Sequence, residues 1–327
     1  MAERRARAAA RRIARLSGLD GAIRSVRRSA EIEELQAKLA ALGNYHLAHP
    51  DAPFLRWAPP GHFYSPIPDL DEVARDAGRI FDQRQELPGL DLNADAQLAL
   101  FAQLAPLARQ ADFPFERQPT ARYYLDNPSF GRGDALMLYA MLRHLRPSRY
   151  LEVGSGWTTA LALDVSEEHL GGSLKVTCVE PYPEILDRLL RPNDGVRVIG
   201  HGVQQAPLEL YAELSAGDVL FIDCSHVVKV GSDAHFLITR VLPSVPPGVF
   251  VHIHDIFYPF EYPQIWIEEG RAWSEAYLLH AFLLFNDQYE IVLFNDWLFV
   301  THRDLIRNEL PRMLENGGGS IWLRRRD

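Results

Sequence analysis

The chain has 327 residues, 47% of them apolar, and a formal net charge of -9, which suits one large α/β domain with a smaller appended region. No apolar run reaches the roughly 20 residues that a membrane helix needs, and charged helix formers stand where a secretory signal has its apolar core, so a cytoplasmic chain is expected. The charge is uneven: nine arginines face only Glu3 and Asp20 within residues 1–28, and the acidic remainder would repel the phosphates of a nucleic-acid substrate.

From Ala2 to Ile23 the alanine and arginine content favours helix, and from Ser29 to Leu42 the spacing of Ile32, Leu35, Leu39 and Leu42 predicts an amphipathic one. Residues 1–45 are therefore expected to form N-terminal helices whose apolar stripes suit pairing in a homo-oligomer. Their arginines read as a solvated helix face, and Glu3 weighs against a cleaved leader. Residues 46–122 are expected as an accessory cap and lid. Prolines punctuate their first part, with Trp57, His62, Phe63 and Tyr64 among them, and helical patterning follows over Asp71–Gln85 and Ala94–Ala111.

After Tyr123, apolar strands alternate with amphipathic helices, and residues 123–327 predict a doubly wound α/β domain with a mixed sheet of Rossmann-like type. A helix over Gly133–Leu145 leads to strand Tyr150–Val153, helix Thr158–Glu168, strand Lys175–Val179 and helix Pro183–Leu190. Strand Val196–Ile199, helix Pro207–Leu214, strand Asp218–Ile222, helix Ala234–Leu242 and strand Gly248–His252 follow, with the short loops that a parallel sheet requires. Beyond a helix over Ser274–Phe285, the runs Tyr289–Phe294 and Trp297–Thr301 predict a terminal hairpin turning at Asn295-Asp296. Cys178 and Cys224 lie inside apolar strand-like runs and read as reduced core thiols.

Gly154-Ser155-Gly156 sits between the first strand and its helix, where glycine lets a ligand approach the backbone and the helix start offers unpaired N–H groups. The third glycine of the dinucleotide pattern is missing, because Trp157, Thr158 and Thr159 follow Gly156. This disfavours pyrophosphate binding. Glu180 ends the next strand, where a carboxylate accepts both hydroxyls of a ribose. An adenosine-type ligand without phosphates fits best.

Leu151-Glu152-Val153-Gly154-Ser155-Gly156, then Val179-Glu180, then Phe221-Ile222-Asp223 resembles the motif series of class I S-adenosylmethionine-dependent methyltransferases. That resemblance implies a cofactor site in which Gly154, Ser155 and Gly156 line the methionine portion, Glu180 holds the ribose, and Val203 and Gln204 line the adenine. For Gln204 the alternative is an ordinary polar loop residue, since an amide is also common there for turn formation. Glu152 either holds the methionine ammonium group through water or fixes the turn.

Asp223-Cys224-Ser225-His226 and His252-Ile253-His254-Asp255 bring ionisable groups to the carboxyl edge of the sheet, where doubly wound folds place their ligands. Asp223 and Asp255 are oxygen donors suited to Mg²⁺, or to Mn²⁺ with the imidazole of His254. Such an ion would lower the pKa of an acceptor hydroxyl and orient it. His226, three residues after Asp223, is the expected base, with an ordinary pKa near 6.5. His252 has the alternation of a satisfied core residue. The set resembles metal-dependent O-methyltransferases acting on sugars of bacterial natural products, the macrolide-sugar enzymes above all, with His254 standing where those have a carboxylate. The resemblance implies a small-molecule hydroxyl acceptor. Phe257-Tyr258-Pro259-Phe260-Glu261-Tyr262-Pro263 offers it stacking faces or forms a packed loop. The competing readings are a metal-independent methyltransferase with His226 as base, a non-catalytic adenosyl-ligand-binding protein of the same fold, and a nicotinamide dehydrogenase.

Overall fold

The computed structural model describes residues 57–326; the expected pairing helices of residues 1–45 lie outside the described residues. Within residues 57–69 the rings of Phe63 and Tyr64 pack 4.1 Å apart, and both are exposed along with Trp57. The compact unit that carries the sheet begins at Leu70.

Its elements are α1 Leu70–Ile80, α2 Ala94–Ala108, α3 Arg132–Leu145, β1 Arg149–Val153, α4 Trp157–His169, β2 Lys175–Val179, α5 Glu184–Leu189, β3 Arg197–Ile199, α6 Glu209–Ala212 and β4 Val219–Ile222. Then come α7 Asp233–Phe236, which runs through a π turn at Leu237–Val241 into Leu242–Ser244, β5 Phe250–His254, α8 Gln264–Glu268 and α9 Glu275–Leu283. The last are β6 Tyr289–Phe294, α10 Asn295–Thr301, α11 Arg303–Glu309 and β7 Ser320–Arg325.

The seven strands form one sheet in the order β3-β2-β1-β4-β5-β7-β6. The pairs among β1 to β5 are parallel, and β7 runs antiparallel to both neighbours. Strand order reverses between β1 and β4, the point at which doubly wound sheets place a crevice beyond their strand ends because the two crossovers leave to opposite sides. Strands covered on both faces read as unbroken apolar runs rather than alternating ones. In β4 all four residues, Val219 to Ile222, are buried. Helix α3 is buried from Gly133 to Leu142 and reads as apolar nearly all round for the same reason.

Helix α2, expected in the cap, packs against α3 and β6 with Phe101, Leu104, Ala105 and Ala108 fully buried. A second departure is the expected hairpin. Asn295–Thr301 is helical: Asn295 and Leu298, three residues apart, are both buried, and Asn295 is anchored by donating to Asp134 and Ser320. The strand that pairs with β6 is instead Ser320–Arg325, whose short run Ile321-Trp322-Leu323 is buried between β5 and β6. Strand β5 also runs two residues further than expected, which makes His254 its last residue. Among the described residues no helix is long and apolar enough to cross a membrane.

Candidate active site

The turn after β1 is held by its neighbours before any ligand arrives. The Gly154 N–H donates to the Val179 carbonyl, and the Asp223 N–H donates to the Val153 carbonyl, so the ends of β1, β2 and β4 are tied together. Gly154 has φ +78°, and a β-carbon there would lie 1.6 Å from the Asp223 carbonyl oxygen. Glycine is required at this point by conformation and by space. Gly156 is extended, and a β-carbon on it would meet only Ile185 Cγ2 at 3.3 Å.

Glu180 accepts from the Ser155 N–H at 2.8 Å and from the Tyr182 N–H at 2.7 Å, and it stays half-buried. The carboxylate expected to meet a ribose thus already touches the glycine turn. Glu152 is fully buried and accepts from the hydroxyls of Thr158 and Thr159 in the first turn of α4. Burial raises its pKa to about 8, against the lowering effect of those hydroxyls. Of its two expected roles, the geometry displays the fixing of the turn. Trp157 Nε1 is buried without a hydrogen-bond partner among the described residues, a donor that the glycine spacing did not single out. A buried unpaired N–H is costly unless a ligand satisfies it. With the free N–H groups of the α4 start, the turn therefore fits an adenosyl-amino-acid cofactor. Val203 is buried in the core, and Gln204 is exposed with its amide donating to the Gly231 carbonyl at 2.8 Å.

Beyond β4 and β5 lie the other expected residues. His226 (φ +58°) and Asp255 (φ +55°) both occupy the left-handed region, a strained setting for residues other than glycine. His226 is buried, its Nε2 lies 3.3 Å from Asp223 Oδ1 and 3.6 Å from Asp255 Oδ2, and its Nδ1 donates to Glu275 Oε2 at 3.0 Å. Burial works against a charge on this imidazole, but Asp223 and Glu275 outweigh it and raise the pKa to about 10. The expected value near 6.5 is corrected by these carboxylates. Burial likewise pushes the Asp223 carboxyl up, and His254 and His226 more than reverse it, leaving it below the ordinary range. Asp255 is raised, chiefly by burial.

His254 is buried, with Nε2 3.6 Å from Asp255 Oδ1. Burial opposes its charge, yet Asp255, Asp223 and Asp134 raise its pKa overall. Asp134 was not picked out by motif. It is buried in α3 and accepts from Asn295, Ser320 and the Gly319 N–H. His252 is a core residue as expected, stacked on Phe221 at 4.0 Å, but neither of its ring nitrogens has a partner among the described residues. Burial accordingly holds its pKa well below the usual range.

The expected Mg²⁺ or Mn²⁺ site of Asp223, His254 and Asp255 does not fit this geometry: among the described residues no group of three or more His, Cys, Asp or Glu side chains is arranged to hold a metal ion. The reason is electrostatic pairing. His226 lies between Asp223 and Asp255, and His254 faces Asp255, so opposite charges satisfy one another instead of converging on a cation. The Phe257–Pro263 segment is a packed loop. Phe260 stacks on His280 at 4.6 Å, and Tyr262 is buried with its hydroxyl accepting from the Ala276 N–H.

A sheet of this strand order, with a reversed seventh strand and a glycine turn at its switch point, defines a Rossmann-like methyltransferase fold. A family model described as a methyltransferase domain matches residues 151–256, the span from β1 to the residue after Asp255. An uncharacterised protein of Archaeoglobus fulgidus is 34% identical over 161 residues, covering 48% of this chain and 73% of the relative. Two of the similar solved structures are methyltransferases with a bound cofactor or its product. One is the S-adenosylhomocysteine-bound methyltransferase of Podospora anserina, 14% identical over 80% of this chain and 98% of that one, with a TM-score of 0.41. The other is an O-methyltransferase of Streptomyces achromogenes involved in tomaymycin synthesis, in complex with S-adenosylmethionine. It is 12% identical over 79% and 97%, with a TM-score of 0.40. Residues 151–256 match a methyltransferase domain, which makes the chain a methyltransferase.

Proposed function

We propose that this methyltransferase transfers its methyl group to a hydroxyl of a small molecule, without a metal ion, using His226 as the proton acceptor. The observation that carries the reading is the position of His226 Nε2 between Asp223 and Asp255, on the loop whose first residue touches the cofactor turn at Gly154. When bound, the sulfonium cofactor supplies an electrophilic methyl group: its C–S bond breaks with the electron pair left on sulfur as a C–O bond forms. The hydroxyl proton passes to His226 Nε2, and the imidazolium so formed is stabilised by the carboxylates on either side. Glu180 and the glycine turn, with Ser155 and Gly156, orient the donor. Asp223 joins the two halves, since its backbone abuts the cofactor turn and its side chain faces the base. A sugar or other natural-product hydroxyl is the acceptor class that the motif resemblance implies.

The deciding experiment is the His226→Gln variant, assayed against a panel of hydroxylated acceptors. Affinity for S-adenosylhomocysteine is expected within about twofold of wild type and turnover down by about 100-fold or more, the usual worth of a positioned base. Wild-type turnover in that variant rejects His226 as the base. Parallel loss of cofactor affinity assigns it a structural role instead.

A further inference from the structure

The buried residue Glu275 appears in no recognised motif, yet three of the contacts made by His226 end on it or on its immediate neighbour. The His226 carbonyl accepts the N–H groups of Ser274 (2.9 Å) and Glu275 (3.0 Å) at the start of α9. Its Nδ1 donates to Glu275 Oε2 at 3.0 Å, and its ring lies 4.4 Å from that of Trp273. The other carboxylate oxygen of Glu275 accepts from the Cys224 thiol at 3.4 Å. Glu275 is wholly buried, and a buried carboxylate is retained at low cost only when its oxygens are occupied and a cation is at hand. His226 supplies both the hydrogen bond and the cation.

From this we infer that Glu275 is the positioning residue for the acceptor-activating imidazole: it holds a proton on Nδ1 of His226, so that Nε2, the nitrogen facing Asp223 and Asp255, is the one that gives up its proton and then accepts that of the bound hydroxyl. The inference rests on the proposed role of His226 and deepens it. A histidine has two tautomers, and only the one protonated at Nδ1 can accept a proton at Nε2. A carboxylate bonded to Nδ1 selects that tautomer and stabilises the imidazolium formed in the reaction. The backbone contacts make the arrangement rigid, because the left-handed His226 is fixed by α9 through its carbonyl while its ring is fixed through Nδ1. The charged or titratable groups around the ring are Asp223 from the β4 loop, His254 and Asp255 from the β5 end and Glu275 from α9, with Cys224 on the far side of Glu275.

The test is Glu275→Gln, which keeps the shape and a hydrogen-bond acceptor while removing the charge, measured beside wild type and His226→Gln. The rising limb of the pH profile of kcat is expected to move toward acid by about one pH unit or more, the usual effect of removing a carboxylate in contact. Affinity for S-adenosylhomocysteine should stay within about twofold and KM should change less than kcat. A folded Glu275→Gln enzyme whose limb does not move, while His226→Gln abolishes that limb, overturns the role of Glu275 and leaves the base assignment standing. NMR of wild-type protein with ¹⁵N-labelled histidine gives a readout independent of turnover. A downfield, exchange-protected Nδ1–H resonance of His226 is expected, and its absence also overturns the inference. If His226→Gln turns over normally although that resonance is present, the base assignment fails and the Glu275 contact survives as structure alone.

Discussion

Gly154 and Asp223 meet so closely that a β-carbon on the first would lie 1.6 Å from the backbone oxygen of the second. This contact joins the loop proposed to face the cofactor to the loop that carries the proposed base. A change at one is therefore transmitted to the other through backbone rather than through a flexible side chain.

Gly154→Ala should destabilise the fold by about 2 kcal/mol or more, since it combines a left-handed φ with a backbone clash, and should also abolish S-adenosylhomocysteine binding. Gly156→Ala meets only Ile185 at 3.3 Å from an extended backbone. It should unfold within about 1 kcal/mol of wild type while still binding cofactor more weakly. Urea unfolding and calorimetric titration of both variants check this, and equal stability losses in the two would contradict the geometry.

Glu180 is half-buried and bonded to two backbone N–H groups. Glu180→Ala is expected to weaken cofactor binding by about 1.5–3 kcal/mol, the usual value for hydrogen bonds to a charged partner. The change in unfolding free energy should be smaller. Titration with S-adenosylhomocysteine and with adenosine compares the losses, which should be similar if the carboxylate serves the ribose.

The pH dependence has opposite signs for stability and turnover. The folded pKa of His226, about 10, lies above its ordinary unfolded value of about 6.5. The stabilisation by its carboxylate partners is therefore complete below about 6.5 and is lost as pH rises through about 10, with a slope approaching 1.4 kcal/mol per pH unit. Turnover requires the neutral imidazole and so increases over that same window. Denaturation and initial rates measured from pH 6 to 10 should diverge in this way, and His226→Gln should flatten both trends. A rate profile already level at pH 7 would show that the proton goes elsewhere.

Exhaustive chelation should leave methyl transfer unchanged, because the carboxylates of Asp223 and Asp255 are paired with imidazoles rather than gathered around a cation. Assays with EDTA, and with Mg²⁺ or Mn²⁺ restored, decide this. Activity lost with the chelator and recovered with the metal would reinstate Asp223, His254 and Asp255 as ligands.

The parallel half of the sheet was legible in the sequence because each of its strands is a short apolar run bounded by turn residues and followed by a helix, a pattern carried by local chemistry alone. Gly154, Glu180, Asp223 and His226 were legible for the same reason: each stands at the end of such a run. The last third of the chain was less transparent. Trp297 and Leu298 suit a strand or a helix equally well in a short window, and Ile321-Trp322-Leu323 reveals itself as a strand only once β5 and β6 offer their edges. The charge state of the site was legible only in part. His226 owes its high pKa to Asp223, three residues before it, but also to a glutamate 49 positions away, and His254 owes its raised pKa to Asp255 and Asp223 and further to Asp134. Motif spacing determined which chemical groups reach the carboxyl edge of the sheet. Tertiary packing decided their partners, because removal from water makes each buried charge seek the opposite charge nearest in space.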